Sequence, residues 1–316
     1  LSDIILHPAF RDEEIQRRKA IILSAILQEK EDPGAVASKA FSKAVFDDHP
    51  YGWPAEGTEE SIQGITRGDI VDFHKSHYFP NNAIMAVVGD LSGDEVHALI
   101  DRYFKGWKKG EAARGRPAGY RQEHGALVIK VDKDITQANI ILGHRGVARD
   151  NPDYYALSVM NYILGGGGFA SRLMDNIRDN KGLSYDVHSS LSAHRYAGSF
   201  EVVLQTKNRS ANTAIAEILR EMERMRKDPV GDKELADAKA YMTGSFPLRL
   251  DSNSKLAAFL AAVEYYGLGQ DYVEKYGRLI TAVTKEDILK VARKYLDTKD
   301  FVLVVVGNIK ETALEY

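Results

Sequence analysis

The sequence predicts an α+β fold: two related units, each an antiparallel β-sheet with helices packed on one face, the first unit incomplete. Three observations lead there. The chain repeats itself, with Thr66 to Asp90 recurring at Thr284 to Asn308 at one constant offset and without a gap. Residues 125–229 read as strands, helices and strands again, while residues 1–106 read as mostly helical with one strand. The size of 316 residues suits about two domains at roughly 150 residues each.

Composition excludes several classes. Hydrophobic residues are 44% and charged residues 28%, as in an ordinary globular protein. A formal net charge of −3 excludes a strongly basic nucleic-acid binder as the default. With no cysteine, disulfide scaffolds, zinc fingers, iron–sulfur clusters and thiol nucleophiles are excluded. The longest apolar run, Leu256–Val263, falls well short of the ~20 residues a membrane span needs. The chain opens on Leu1 rather than Met, so the N-terminus gives no compartment, and a bacterial periplasm or cytoplasm both fit.

Each element has a local reason. Asp12, Glu14 and Ile15 with Lys19 and Ala20 match Asp232, Glu234 and Leu235 with Lys239 and Ala240, at nearly the same offset. Thr66 with Asp69, and Thr284 with Asp287, read as N-caps followed by an acidic first turn. Ile288, Val291, Ala292, Tyr295 and Leu296 then form one apolar helix face; the same slots in the first copy are Ile70, Phe73, His74, His77 and Tyr78. Each helix feeds a β-rich run ending in glycine, Ile84–Val88 before Gly89 and Val302–Val306 before Gly307.

The second copy also has a front. Strands Leu127–Val131 and Ala138–Leu142 precede a helix at about 152–163, a glycine turn and a helix at about 169–179. Strands at about 184–191 and 196–205 follow. The repeat offset places the start of a matching first unit roughly 95 residues before Leu1. The lone strand Ala83–Val88 therefore needs sheet partners from a missing segment, another chain or a second copy, because a buried strand cannot leave its backbone unpaired. In an isolated chain this open edge is expected to drive homodimerisation or strand exchange. The domains are accordingly read as 1–106, the back half of a first unit; 107–124, a linker rich in Gly, Ala and basic residues; and 125–316, a complete second unit.

Two stretches carry a family resemblance: Ile163 through the glycines Gly165, Gly166, Gly167 and Gly168 to Arg178 and Tyr185, and Ile21 through Ala25 to Pro33. Both resemble the M16 metallopeptidases, the pitrilysin or insulinase clan that includes mitochondrial processing peptidase. The resemblance covers nearly the whole chain. It implies duplicated α/β units, with 1–106 as the back half of the first and 125–316 as the second. Peptide-cutting members carry a His-x-x-Glu-His helix in the first unit, with a further Glu downstream as the last zinc ligand.

This sequence departs from that pattern at the metal site. None of its nine histidines lies in His-x-x-Glu-His or His-Glu-x-x-His. The alignment puts the downstream ligand slot at Ala25, and a second, usually acidic slot at Arg18. A methyl group cannot ligate zinc, and a cation opposes it. What does match is the pair Arg178 and Tyr185, which in family enzymes reaches the peptide near the cleaved bond. A tyrosine hydroxyl can donate to a developing oxyanion and an arginine can orient carbonyls.

Plainer readings stand beside these. Without the family, Arg178 and Tyr185 are a helix-end arginine and a strand tyrosine. The glycines lack the Lys-Ser/Thr ending of a phosphate loop and follow a helix, so they read as a helix stop and sharp turn, or as a substrate-facing loop. His74 and His77 share one helix face and read as partly buried structural residues, whereas His188 and His194 lie roughly 20 Å apart along an extended run. Arg67-Gly68-Asp69 begins a helix and does not read as an adhesion motif, and Glu29–Asp32 reads as a solvated helix end.

The resemblance thus implies a non-catalytic subunit that supplies Arg178 and Tyr185 to a zinc-bearing M16-type partner acting on an unfolded peptide. No metal would sit on this chain; zinc is expected on the partner or on the missing front half. One alternative is a structural or assembly protein of the same fold. Another is a C-terminal fragment of a longer zinc metallopeptidase, against which Ala25 argues.

Overall fold

The structure, a computed structural model, describes residues 1–112 and 125–316. Of the expected linker 107–124, the part from 113 on lies outside the described residues, as does His124.

From the N-terminus run α1 (Ser2–Leu6), α2 (Asp12–Glu31), α3 (Pro33–Phe46), α4 (Glu59–Gly64), α5 (Arg67–His77) and α6 (Gly93–Phe104). Next come β1 (Leu127–Asp132), β2 (Gln137–Gly146), α7 (Tyr154–Asn161), β3 (Val187–Ala193) and β4 (Gly198–Lys207). The rest is helical apart from one strand: α8 (Ala211–Lys227), α9 (Asp232–Gly244), α10 (Asn253–Tyr266), α11 (Tyr272–Ala282), α12 (Lys285–Tyr295), β5 (Val302–Gly307) and α13 (Ile309–Thr312).

These elements form two units. The first takes Leu1–Gln28, Pro54–Pro117 and Phe246–Tyr272; the second takes Glu29–Trp53, Ala118–Ser245 and Val273–Tyr316, each as far as it is described. Each unit therefore contains a segment from the other repeat copy. The segment Glu29–Trp53, carried forward by the offset that relates Lys19 to Lys239, falls close to Phe246–Tyr272.

The second unit is built on a five-stranded sheet in the order β1-β5-β2-β4-β3. Its pairs are antiparallel except β1 with β5, which run parallel from Leu127↔Val302 to Asp132↔Gly307. Every residue of β5 is buried, which explains its unbroken apolar run: a central strand covered on both faces needs no polar alternation. Alternate residues sort to the two faces. Ile141, Val302, Val304 and Val306 pack under α3, whose Ala37, Phe41, Val45 and Phe46 are buried there. Filling one such site with a large apolar side chain stabilises by about 1.5–3 kcal/mol. Ile140, Leu142, Val202, Leu204, Leu303 and Val305 are buried on the other face, where α7 and α8 pack, with α12 laid against both.

The first unit is helical in its described residues. Three of its helices begin on capping boxes, Thr58 with Ser61, Thr66 with Asp69 and Ser92 with Glu95. The Thr66 box has its counterpart in the second copy: the Asp69 carboxylate accepts from the Thr66 N–H at 2.7 Å, and that of Asp287 accepts from the Thr284 N–H at 2.9 Å. A tertiary contact repeats as well. The Lys19 ammonium donates to the Gln63 carbonyl at 2.9 Å, and the Lys239 ammonium to the Thr281 carbonyl at 2.7 Å.

The expected strand Ala83–Val88 differs from its counterpart. Ala83 is extended, yet no described residue pairs with this segment in a ladder. Ile84, Met85 and Val87 are exposed at 47%, 43% and 45%. The composition is that of a strand; the partner that would make it one is not among the described residues.

Candidate functional site

The site grows from the end of α7. The helix leaves α geometry and winds through a π turn over Tyr162–Gly166. Close packing demands this sequence. A Cβ on Gly165 would sit 2.5 Å from the backbone nitrogen of Ser189 on β3, so only glycine lets the turn lie on the strand. The Ser189 hydroxyl donates to the Asn161 side-chain carbonyl at 2.8 Å, pinning α7 to β3. Of the four glycines only Gly168 takes a left-handed backbone, at φ 58°. It opens a 3₁₀ turn, Gly168–Ala170, that leaves Phe169 72% exposed. The glycine stretch is thus a wide helix end packed on the sheet at one side and open at the other.

A second π-wound helix, Met174–Asn180, carries Arg178. Its start is fixed by Arg172, which donates through Nε and Nη2 to both carboxylate oxygens of Glu234 at 2.7 and 2.8 Å. That fork holds the Glu234 carboxyl below the usual carboxylate range, chiefly through the hydrogen bonds from Arg172, and raises the guanidinium in turn. Further along, Asn176 donates to Glu217 at 3.0 Å and Glu221 at 2.9 Å, both buried on α8. Two buried carboxylates without such partners would be costly.

Arg178 itself is held in two ways. Its Nη1 donates to Asp179 at 3.1 Å, and its guanidinium lies 4.7 Å from the Phe169 ring centroid. The helix stops where the Gly182 N–H donates to the Arg178 carbonyl at 3.0 Å. The chain then crosses to β3. The Ser184 hydroxyl reaches the Asp186 and Gln205 carbonyls at 2.5 and 2.7 Å, fastening this crossing to β4. Tyr185 is carried between those anchors and stands 88% exposed.

Arg178 and Tyr185 line one open cavity of about 430 Å³, together with Asp179, Ser184, Gln205 and Lys207. The sequence singled out the first two and the glycines. It did not single out Phe169 and Asp179 as supports of Arg178, nor Gln205 and Lys207 as wall residues. The period of β4 brings Gln205 and Lys207 to one face, and the hydroxyl of Ser184, donating to the Gln205 carbonyl, and that of Thr206, donating to the Leu183 carbonyl at 2.6 Å, hold that end beside the helix stop.

At the positions where the resemblance expects metal ligands, Ala25 and Arg18 are both exposed, two turns apart on α2, one a methyl and the other a cation. Among the described residues there is no group of three His, Asp or Glu side chains that could hold an ion. Several histidines have structural partners. His74 Nε2 lies 2.8 Å from the Ile5 carbonyl, and His77 stacks on Phe73 at 4.2 Å. His188 sits on β3 beside Asp186 at 3.0 Å, and His194 lies in the loop after that strand.

Among the described residues the sheet carries a packed glycine turn, an arginine on the following helix and an exposed tyrosine before the next strand, and no group that could hold a metal. Residues 64–242 match the family described as the peptidase M16 inactive domain, and the chain belongs to that family. An uncharacterized zinc protease of Rickettsia bellii is 26% identical over 98% of this chain and 74% of its own length. The uncharacterized zinc protease YmxG of Bacillus subtilis is 27% identical over 97% of this chain and 74% of its own. The crystal structure of a peptidase M16 inactive domain from Pseudomonas fluorescens superposes with a TM-score of 0.89 at 30% identity, covering 97% of this chain and 73% of that one. A chain of complex III from Candida albicans shares the fold, at TM-score 0.80 and 16% identity, covering 100% of this chain and 75% of that one. No described helix is long and apolar enough to cross a membrane.

Proposed function

We propose that this chain is the non-catalytic member of an M16-type peptidase, lending Arg178 and Tyr185 to peptide held by a zinc-bearing partner subunit or domain. The observation that carries the reading is their joint presence on one cavity; that the resemblance aligns the downstream ligand slot with Ala25 supports it. Arg178, held by Phe169 and Asp179, would orient peptide carbonyls, and the Tyr185 hydroxyl would donate to the oxygen that gains charge. The exposed end of the glycine turn, Gly166 to Phe169, would face the substrate. The substrate is an unfolded peptide read through its backbone, which would extend β3 at the sheet edge just after Tyr185. Water attack on the peptide carbonyl belongs to the partner's zinc.

The test is reconstitution with a zinc-bearing M16 subunit. Tyr185→Phe should lower kcat by roughly 100-fold, the usual loss for one oxyanion donor. Arg178→Ala should lower kcat/KM by about 10- to 100-fold, as for a hydrogen bond to a charged group. Unchanged activity in both variants would move the chain to the structural or assembly reading. Alone, the chain should neither hydrolyse peptides nor hold stoichiometric zinc; either property in a clean preparation would restore the reading of a peptidase fragment.

A further inference from the structure

The first unit has a cavity of its own, of about 670 Å³, walled by the chain between α1 and Phe10, by α5 and by the segment that follows α6. Small-molecule sites commonly span about 300–1,000 Å³. Among its lining residues Phe10, Phe79 and Trp107 are half-buried. Arg67, Lys75, Arg102, Lys105 and Lys108 line it too, and all five are exposed. None of the described lining residues is a carboxylate, although the chain as a whole carries a charge of −3. Asp3 stands outside the lining, 3.7 Å from His7. Lys75, Lys105 and Lys108 make no ion pair among the described residues. Cations gathered in this way repel one another and draw an anion.

The walls are held in place. The Trp107 indole N–H donates to the Tyr78 carbonyl at 3.0 Å. Asn81 and Gly110 exchange two hydrogen bonds, at 2.8 and 3.1 Å, which fasten the segment after α6 to the chain after α5. Phe10 has a left-handed backbone at φ 41°, a conformation that a bulky residue adopts only where its surroundings impose it. The Arg67 Nε donates to its carbonyl at 2.8 Å, and His74 meets its ring edge-on at 5.6 Å. The repeat separates these features from plain packing. Arg293, in the slot of Lys75, donates to the Arg226 carbonyl at 3.0 Å and so ties α12 to α8. In the first copy His74 stands in that role, 2.8 Å from the Ile5 carbonyl, and Lys75 is left to the cavity. The slot of Tyr78 holds Leu296, which is buried, whereas Tyr78 is 49% exposed. We propose that this cavity binds a nucleotide, its base against the half-buried aromatic rings and its phosphates among the lysines and arginines. Aromatic rings accept the face of any base, and ammonium and guanidinium groups answer phosphate charge. An acidic peptide would satisfy the cations and leave Phe10, Phe79 and Trp107 without a flat partner.

Tryptophan emission tests this. The chain has two tryptophans, so Trp53→Phe leaves Trp107 as the sole reporter. The probes are ATP, adenosine, inorganic triphosphate and a polyglutamate peptide. ATP should change the emission of the Trp53→Phe chain saturably, well below about 1 mM. Adenosine lacks the phosphates and inorganic triphosphate lacks the base, so each should bind at least ~10-fold more weakly than ATP. Lys75→Glu and Lys105→Glu should each weaken ATP by ~10-fold, and added salt should weaken it further. Both lysines are exposed, so the melting temperature should hold, and the emission change itself needs neither variant. No saturable change up to about 1 mM ATP overturns the proposal. Equal affinity for inorganic triphosphate and ATP also overturns it, because the cavity would then be a charged surface only. So does displacement of ATP by an equal concentration of the polyglutamate peptide, or ATP affinity that both lysine variants leave unchanged.

Discussion

Arg178 is useful only if its guanidinium stays put. The Phe169 ring and the Asp179 carboxylate provide that, and the ring sits on the turn that follows the glycines packed on β3. Gly165 is the critical contact, because a methyl there would meet backbone, which cannot swing aside. Gly165→Ala should destabilise the fold by about 1–3 kcal/mol, read from denaturant midpoints, whereas Gly168→Ala strains only the left-handed backbone and should cost about 1 kcal/mol. A buried histidine gives a separate residue-scale prediction. Burial pushes the His144 imidazole below its ordinary value of 6.5, against smaller opposing contributions from the Arg145 carbonyl, Asp297 and Asp300. The folded state then binds fewer protons than the unfolded one. Its contribution to stability is complete above the ordinary value and declines as pH falls below it. Melting temperatures at pH 7.5 and 5.5 should show that decline, and His144→Phe, which keeps the stack on Phe200, should lessen it.

Between elements, the fork from Arg172 to Glu234 ties the start of the Arg178 helix to the first turn of α9. Glu234 also accepts from the Gly231 N–H at 2.7 Å, so one carboxylate caps α9 and clamps the site. Glu234→Gln should cost about 1–2 kcal/mol and lower the activity of a reconstituted pair through Arg178 placement. The sign with pH is opposite to that of a histidine gaining a partner. The carboxyl is held low, so its stabilisation is present above the ordinary value of 4.5 and is lost as pH falls through the folded value. Acid titration of the melting temperature should show a step in the native chain that Glu234→Gln lacks. Neither partner was legible as a pair, since they lie far apart in the chain and nothing in either helix pattern links them.

For the whole molecule, the sequence announces a duplication and the structure shows its consequence. The caps at Thr66 and Thr284, and the lysine contacts of Lys19 and Lys239, are short patterns, so they could be read from spacing alone or confirmed at matching positions. The exchange of segments was not visible. Both α3 and α10 are apolar helices of equal length, yet α3 lies buried on the second unit's sheet while α10 stays largely exposed in the first unit. Periodicity tells which face of a helix is apolar and says nothing of which sheet receives it.

Residue type at set spacing was therefore enough for most of the elements, the repeat and the family resemblance. It took tertiary contacts to settle that β1 joins β5 in parallel, that α3 covers the second sheet, and that Arg178 and Tyr185 open on one cavity. Those outcomes depend on contacts between distant segments, where packing and backbone hydrogen-bond satisfaction choose among partners that the local pattern leaves equivalent.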